Sequence, residues 1–376
     1  MSHIDLHSRP FDQTTITKLE LFEDYFQAWL PTFIMTKHQV NSEIHVFDLF
    51  AGTGYDKEGV EGSPIRFLKK TLPFIKLLKQ KRKKIFFHFN EFEPNSKKQN
   101  KFATLKKSCD NFLDENKLLK DYCTITCYNK DFNIIFDELY PIIDSQPSLV
   151  FLDQNGIKFL KVDYLMRFEK TKMTDFIYFL SSSYIWRFSE QKEFKKHLDI
   201  DLKTLKNDGY KKIHRTLTKH LQGKIGENSQ LKLYPFSLLK GSNIHGLIFG
   251  ATHYLAVEKF LNMAWKRNNK NGDANFDIDD EVAMKQLNMF ENPKPTKIEK
   301  FKEKIKNKIL KCEIINNKQA LIYAYKNGHI SKHASEQIRD LKKKKIINYD
   351  SASPKVTYES VFKKEDIVEF NSNKNG

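Results

Sequence analysis

The sequence predicts an α/β fold: a Rossmann-like sheet with helices on both faces, followed by a C-terminal winged-helix-like domain. Three observations carry this. First, short β-branched and aromatic runs (Ile44–Phe47, Ile85–Phe89, Tyr122–Tyr128, Ser148–Leu152, Asp175–Leu180) alternate with longer stretches of helical periodicity. That is the pattern of parallel strands joined by crossover helices. Second, each of the first four runs is followed closely by an acidic residue: Asp48, Glu91, Asp131 and Asp153. In an open parallel sheet such strand ends line the ligand crevice. Third, beyond Glu291-Asn292-Pro293-Lys294-Pro295 the composition turns Lys-rich, and three helical segments precede two short apolar runs.

The stretch Ile44 to Pro64 organises the rest. A buried-type strand meets Asp48 and then Ala51-Gly52-Thr53-Gly54, where glycines let the backbone approach a ligand with no Cβ in the way. Gly62-Ser63-Pro64 reads as a helix start, with Ser63 at the N-cap and Pro64 at the first helical position. A dinucleotide site needs a third glycine, but Asp56-Lys57 follows Gly54-Tyr55, and Asp48 is poor company for a pyrophosphate. The string D-x-F-A-G-x-G instead resembles motif I of class I methyltransferases, which use the cationic cofactor S-adenosylmethionine (SAM). The plain structural alternative is a Gly-rich turn after a buried strand.

In chain order, a helix is expected from Thr17, with Leu19, Phe22, Phe26 and Trp29 on one face and Pro31 at its end. A helix over 63–80 should kink near Pro73 and end in Lys81-Arg82-Lys83-Lys84, cations that suit its dipole. The second strand ends at Asn90-Glu91-Phe92-Glu93, and an acidic residue there hydrogen-bonds ribose hydroxyls in the doubly wound fold. Glu91 is the first choice and Glu93 the second. A helix over 97–112 leads to the third strand and Asp131, which either reaches the cofactor's adenine, as in SAM enzymes, or caps the next helix. The fourth strand ends in Asp153-Gln154-Asn155-Gly156, where a catalytic motif belongs. Residues 186–230 read as a basic helical insertion over the mouth of the sheet, followed by strands at 231–239 and 246–251 and a closing helix at 255–265. Residues 268–280 are turn-rich and polar.

The expected domains are 1–292 and 293–376. In the second, helices over 297–311, 317–326 and from Ser331 precede strands at 346–349 and 355–358. The third helix would enter a major groove with Lys332, His333, Gln337 and Arg339, and the wing would carry Lys355. Protein contact by such a domain, with the lysines as a solvated face, is the alternative.

The 376 residues carry a net charge of +17, which favours an anionic partner, nucleic acid above all and DNA ahead of RNA. Four cysteines, irregularly spaced, form neither a disulfide scaffold nor a zinc site, so no metal is expected. The N-terminus has no apolar leader and no segment is long enough to cross a membrane, so a soluble, cytoplasmic protein is expected.

With these motifs together, the chain resembles the three-Cys-motif partner (TcmP) family of class I methyltransferase-like proteins over most of 17–265. The matching features are Trp29-Leu30-Pro31, D-x-F-A-G-x-G-Y at 48–55, Gly62-Ser63-Pro64, Glu91, Asp131-Phe132-Asn133, Leu152-Asp153-x-x-Gly156, and His245 to Phe249 followed by Thr252-His253. The resemblance implies SAM as cofactor, held by Asp48, Gly52, Gly54, Glu91 and Asp131, and a radical-SAM-like protein partner. It departs at the fourth strand, where the family has Asp-Pro-aromatic before the glycine and this chain has Asp153-Gln154-Asn155-Gly156. Asp153 and Asn155 are the catalytic candidates, with Tyr184 or Trp186 supplying a ring to stack on a base. C5-cytosine chemistry lacks its Pro-Cys nucleophile. The expected function is methyl transfer to nucleic acid. The alternatives are a catalytically altered scaffold that binds DNA and a protein partner, and a metal-dependent nuclease.

Overall fold

In the computed structural model the described residues are 10–36, 43–94, 100–154, 159–182, 185–186, 209–226, 228–240, 243–280 and 295–372. The chain forms two compact units, Met1–His253 and Tyr254–Gly376.

The first unit is built on a seven-stranded sheet. Its strands are β1 (Glu43–Asp48), β2 (Lys84–Asn90), β3 (Cys123–Tyr128), β4 (Ser148–Leu152), β5 (Thr174–Ser181), β6 (Lys232–Lys240) and β7 (Asn243–Ala251), in the order β3-β2-β1-β4-β5-β7-β6. β1 to β5 are parallel, and β7 runs antiparallel to both β5 and β6. This is the Rossmann-like sheet expected from the alternation of runs. The chain leaves β1 toward β2 and β3 on one side and returns to β4 and β5 on the other. The carboxyl ends of β1 and β4 are therefore the topological switch point, the place at which open α/β sheets bind ligands.

Helices cover both faces because the strands are apolar on both. On one face α1 (Gln13–Ile34) and α2 (Ser63–Thr71) meet Phe151 of β4: Phe22 and Phe67 lie 4.8 and 4.7 Å from its ring. The expected stripe Leu19, Phe22, Phe26 and Trp29 is buried throughout. Pro31 does not end α1, which continues to Ile34. In the last turn a proline forfeits one hydrogen bond, and Met35 N still donates to Pro31 O at 3.0 Å. The kink expected near Pro73 is a 3-10 turn, Leu72–Phe74, before α3 (Ile75–Lys81). α4 (Lys101–Glu115) precedes β3.

On the other face α5 (Phe132–Ser145), α6 (Val162–Lys170) and α7 (Ile213–Ile225) share a core with Phe47, Val150, Leu152, Phe176 and Tyr178. For residues 213–225 this corrects the reading of 186–230 as an insertion over the mouth. Ile213, Leu217, Leu221 and Ile225 recur at helical spacing and are buried, so α7 is a layer of the fold. Residues 187–208 lie outside the described residues.

The second unit begins with α8 (Tyr254–Arg267), ahead of the junction expected at 292. Its side chains explain the grouping: Tyr325 Oη donates to Glu258 Oε1 at 2.8 Å, and Trp265 Nε1 donates to Gly328 O at 2.9 Å. The helices α9 (Lys297–Leu310), α10 (Asn317–Lys326) and α11 (Ser331–Lys343) follow as expected, and Thr296 and Glu299 close a capping box on α9. The two-stranded ribbon differs. β8 (Ile347–Asn348) pairs with β9 (Asn371–Ser372), and Lys355–Tyr358 is not a strand. Lys355 has φ 47°, which no ladder residue adopts, and Asn317 holds the segment as a loop. Its buried amide donates to Lys355 O at 3.1 Å and Asp366 O at 2.8 Å and accepts from Val368 N at 3.1 Å.

Candidate functional site

The carboxyl ends of β1, β2 and β4 bring three acidic side chains to one edge of the sheet: Glu91 touches the glycine loop, and Asp153 is near enough to Asp48 to act on its charge. Asp48 is buried at the end of β1. Its Oδ2 accepts from Ser63 Oγ at 2.5 Å and its Oδ1 from Phe50 N at 3.2 Å. Burial pushes this carboxyl up to about 7, with the charge of Asp153 adding to the rise; Ser63, Phe50 N–H and Lys18 oppose it. Ser63 was expected to cap α2, but Gly62 is the N-cap, because the serine hydroxyl is given to Asp48.

The loop after β1 turns through Gly52 at φ 67° and Gly54 at φ 90°, conformations glycine adopts without strain. A Cβ on Gly54 would also lie 2.8 Å from Ser108 Cβ. Glu91 follows β2 and accepts from Gly52 N at 2.9 Å, so the residue expected to meet a ribose is seated against the glycine loop. Asn90, also buried, locks the neighbourhood. Its side chain donates to Leu49 O at 3.2 Å and Lys130 O at 3.0 Å and accepts from Lys130 N at 3.0 Å. The loops after β1 and β3 are thereby tied to one side chain.

Asp131 stands after β3 as the N-cap of α5, accepting from Asn133 N at 2.9 Å. The cap is made through Oδ1. Glu93, the second choice for the ribose, instead accepts from Lys101 N at 2.8 Å, at the start of α4. At the end of β4, Asp153 forms an ion pair with Lys18 of α1, and the Lys18 ammonium lies 4.6 Å from the centroid of the Phe179 ring. Gln154 stands where the family resemblance has proline. It is buried; its Oε1 accepts from Phe159 N at 2.7 Å, and its Nε2 is a buried donor with no hydrogen-bond partner among the described residues. Asn155, Gly156 and Tyr184 lie outside the described residues. Trp186 packs edge-on against Tyr210, with centroids 5.7 Å apart.

Sequence reading missed Lys18, Ser63, Asn90 and Phe179. Lys18 had a signal: with Phe22, Tyr25 and Trp29 it occupies one helical face, so it is the cation on an apolar stripe. Ser63 had none, because a serine before a proline at a helix start already has a reason to be there.

In the second unit Lys332 and Arg339 are exposed on α11, and Gln337 is half-buried. Lys332 lies 3.9 Å from Glu336 and shares with Trp265, Lys266 and Lys302 a cleft of ≈ 440 Å³. His333 lines the floor of the same cleft and is not exposed as Lys332 and Arg339 are. It is buried, its ring 4.4 Å from Trp265, and its Nδ1 lies 3.0 Å from His329 Nδ1. Lys355 is tied to Asp366 at 2.7 Å. Among the described residues, no group of three His, Cys, Asp or Glu side chains is arranged to hold a metal, and no helix is long and apolar enough to cross a membrane.

No family model and no curated protein matches the sequence. Matching solved structures include the O-methyltransferase TomG from Streptomyces achromogenes in complex with SAM, at TM-score 0.32 and 9% identity over 65% of this chain and 91% of that one. They also include the delta-N METTL16 methyltransferase domain, at TM-score 0.30 and 10% identity over 67% of this chain and 88% of that one. Likenesses this distant carry no inference about chemistry.

Proposed function

We propose that the first unit is a SAM-dependent methyltransferase acting on nucleic acid. The observation that supports this is the convergence of Asp48, the Gly52–Gly54 loop seated on Glu91, and Asp153 at the switch point of the sheet. The residues suit a cationic cofactor better than a phosphate, because the loop is flanked by carboxylates and the nearby cation, Lys18, is already paired with Asp153. Bound SAM would supply an electrophilic methyl carbon. Gly52 and Gly54 allow its close approach, Asp48 faces its positive end, Glu91 holds the loop and meets the ribose, and Asp131 takes the adenine side. Asp153 accepts a hydrogen bond from the acceptor and orients it, so that proximity carries much of the rate. Gln154 Nε2 offers a donor one residue away, the complement of a base edge that presents both an amino group and a ring nitrogen.

The net charge of +17 supports nucleic acid as the acceptor, with Lys332, Gln337, Arg339 and Lys355 of the winged-helix-like unit as its contacts. The radical-SAM-like protein partner implied by the family resemblance belongs to this proposal too. Calorimetric titration with SAM tests the core of it. Binding to the wild type should weaken at least about tenfold in Glu91→Ala and Asp48→Ala, as loss of a charge-assisted hydrogen bond predicts. Equal binding by all three proteins would sink the assignment. Radiolabelled transfer to DNA, RNA and protein then identifies the acceptor. One observation favours a scaffold instead: Asp153 is held by Lys18. Affinity for DNA that is indifferent to SAM and survives Asp153→Ala would support that reading.

A further inference from the structure

Lys18 is the part of the site that the proposed chemistry does not use. Its side chain is 9% exposed, and its ammonium sits between the Asp153 carboxylate and the face of Phe179, with Asp48 near enough to feel its charge. A carboxylate beside an aromatic face is a general recognition site for organic cations, because the ring quadrupole and the anion both favour positive charge. This recess stands at the carboxyl end of β4, where a ligand in the crevice would present its reacting groups. A lysine from the N-terminal helix fills it.

We propose that the Asp153–Phe179 recess is a binding site for an organic cation, an alkylammonium or sulfonium group, and that Lys18 is a resident placeholder displaced when the ligand enters. The inference rests on the methyltransferase reading for its location, but not for its test. Two ligands share this chemistry: the sulfonium of SAM and the amino group of an acceptor. If the lysine were only a structural tie, removing it would weaken the fold and leave a space that a small alkylammonium refills, but no added cation would displace the lysine of the wild type. As a placeholder it competes with the ligand, so removing it strengthens binding by the fraction of time it holds the recess.

The experiment compares wild type, Lys18→Met and Lys18→Arg in titrations with SAM, with S-adenosylhomocysteine, which lacks the sulfonium charge, and with n-butylammonium. Occupation by the sulfonium predicts that Lys18→Met binds SAM about tenfold more tightly, what a lysine present nine times in ten would cost a competitor. The demethylated product should gain nothing, and Lys18→Arg should behave as wild type. Occupation by an acceptor amine predicts no gain for either cofactor form and n-butylammonium that binds Lys18→Met about tenfold more tightly than the wild type; binding to Lys18→Met alone is rescue of a deleted side chain and overturns displacement. Adding Asp153→Asn should abolish either gain. No gain for any cation in Lys18→Met overturns the placeholder. Failure of SAM to bind any of the proteins overturns the methyltransferase reading, while n-butylammonium still decides the recess. Should Lys18→Met not fold, the wild type decides by pulse-labelling: acylation of Lys18 must accelerate at least about fivefold on saturation with the bound cation, and unchanged labelling rejects displacement.

Discussion

Asp48→Asn should make the protein more stable at pH 8 and no more stable at pH 4. The wild-type carboxyl is raised from 3.8 to about 7 by burial. A raised folded value means that folding takes up a proton between those limits. The stability Asp48 contributes is therefore fully present below about pH 4 and is lost as pH rises through 7. At about 1.4 kcal/mol per unit, the loss across that window approaches about 4 kcal/mol. Asparagine keeps the shape, does not titrate, and can still accept from either Ser63 or Phe50. It gives up one hydrogen bond, at a constant cost of about 1 kcal/mol. Urea unfolding of both proteins at pH 4, 6 and 8 should show the variant equal or slightly weaker at pH 4 and stronger by about 3 kcal/mol at pH 8. SAM affinity should fall in the same variant, since a stability cost kept at a crevice is the expected mark of a functional charge. A pH-independent difference between the two proteins would refute the buried, proton-binding Asp48 that the geometry describes.

Other consequences are simpler. His329 and His333 are lowered to about 2 and about 4 by burial, with Lys297 and Lys302 nearby adding to the effect and Glu336 opposing it at His333. Their folded values lie below the unfolded one, so the second unit keeps full stability above pH 6.5 and loses it as pH falls toward about 4; the Trp265 environment should report this, and His333→Phe should flatten the pH dependence. Asn317→Ala strips partners from two carbonyls and one N–H and should cost the second unit about 2–4 kcal/mol in denaturant unfolding. Gly54→Ala forces a Cβ against Ser108 at positive φ and should weaken SAM binding, with partial recovery in the Gly54→Ala/Ser108→Gly double variant.

Sequence reading reached the elements whose periodicity is set by burial. The seven strands of the first unit, β8 and the helices after 297 lie within a few residues of their expected positions, because their apolar runs face a core. It failed where a side chain acts at a distance in sequence. Nothing near Lys355 reveals that Asn317, 38 residues earlier, takes its carbonyl and turns a would-be strand into a loop. Nothing near Ser63 reveals that its hydroxyl serves an aspartate 15 residues back. The acidic strand ends were legible as a group, since parallel strands must deliver their carboxyl ends to one edge. Their individual partners were not, because these come from loops whose paths only the packed sheet defines.

The placeholder role of Lys18 also limits how α1 can move. From Leu19 onward the helix is fixed several times over. Glu23 pairs with Arg66 at 3.2 Å, Tyr25 Oη donates to Asp175 Oδ2 at 2.7 Å, and Phe26 packs 5.3 Å from Phe67. Among the residues of α1 before Lys18 whose burial is described, none is buried. The cheapest way to withdraw the ammonium is therefore to unwind the first turns and leave the rest docked, since fraying there exposes almost no apolar surface. Hydrogen exchange should rise over 13–18 when the displacing cation is saturating and stay unchanged over 21–30. Exchange that rises along the whole helix would mean that Tyr25 and Phe26 leave the sheet as well, and displacement of one side chain would no longer describe the event. Exchange that falls over 13–18 would mean that the ligand recruits Lys18 instead of replacing it.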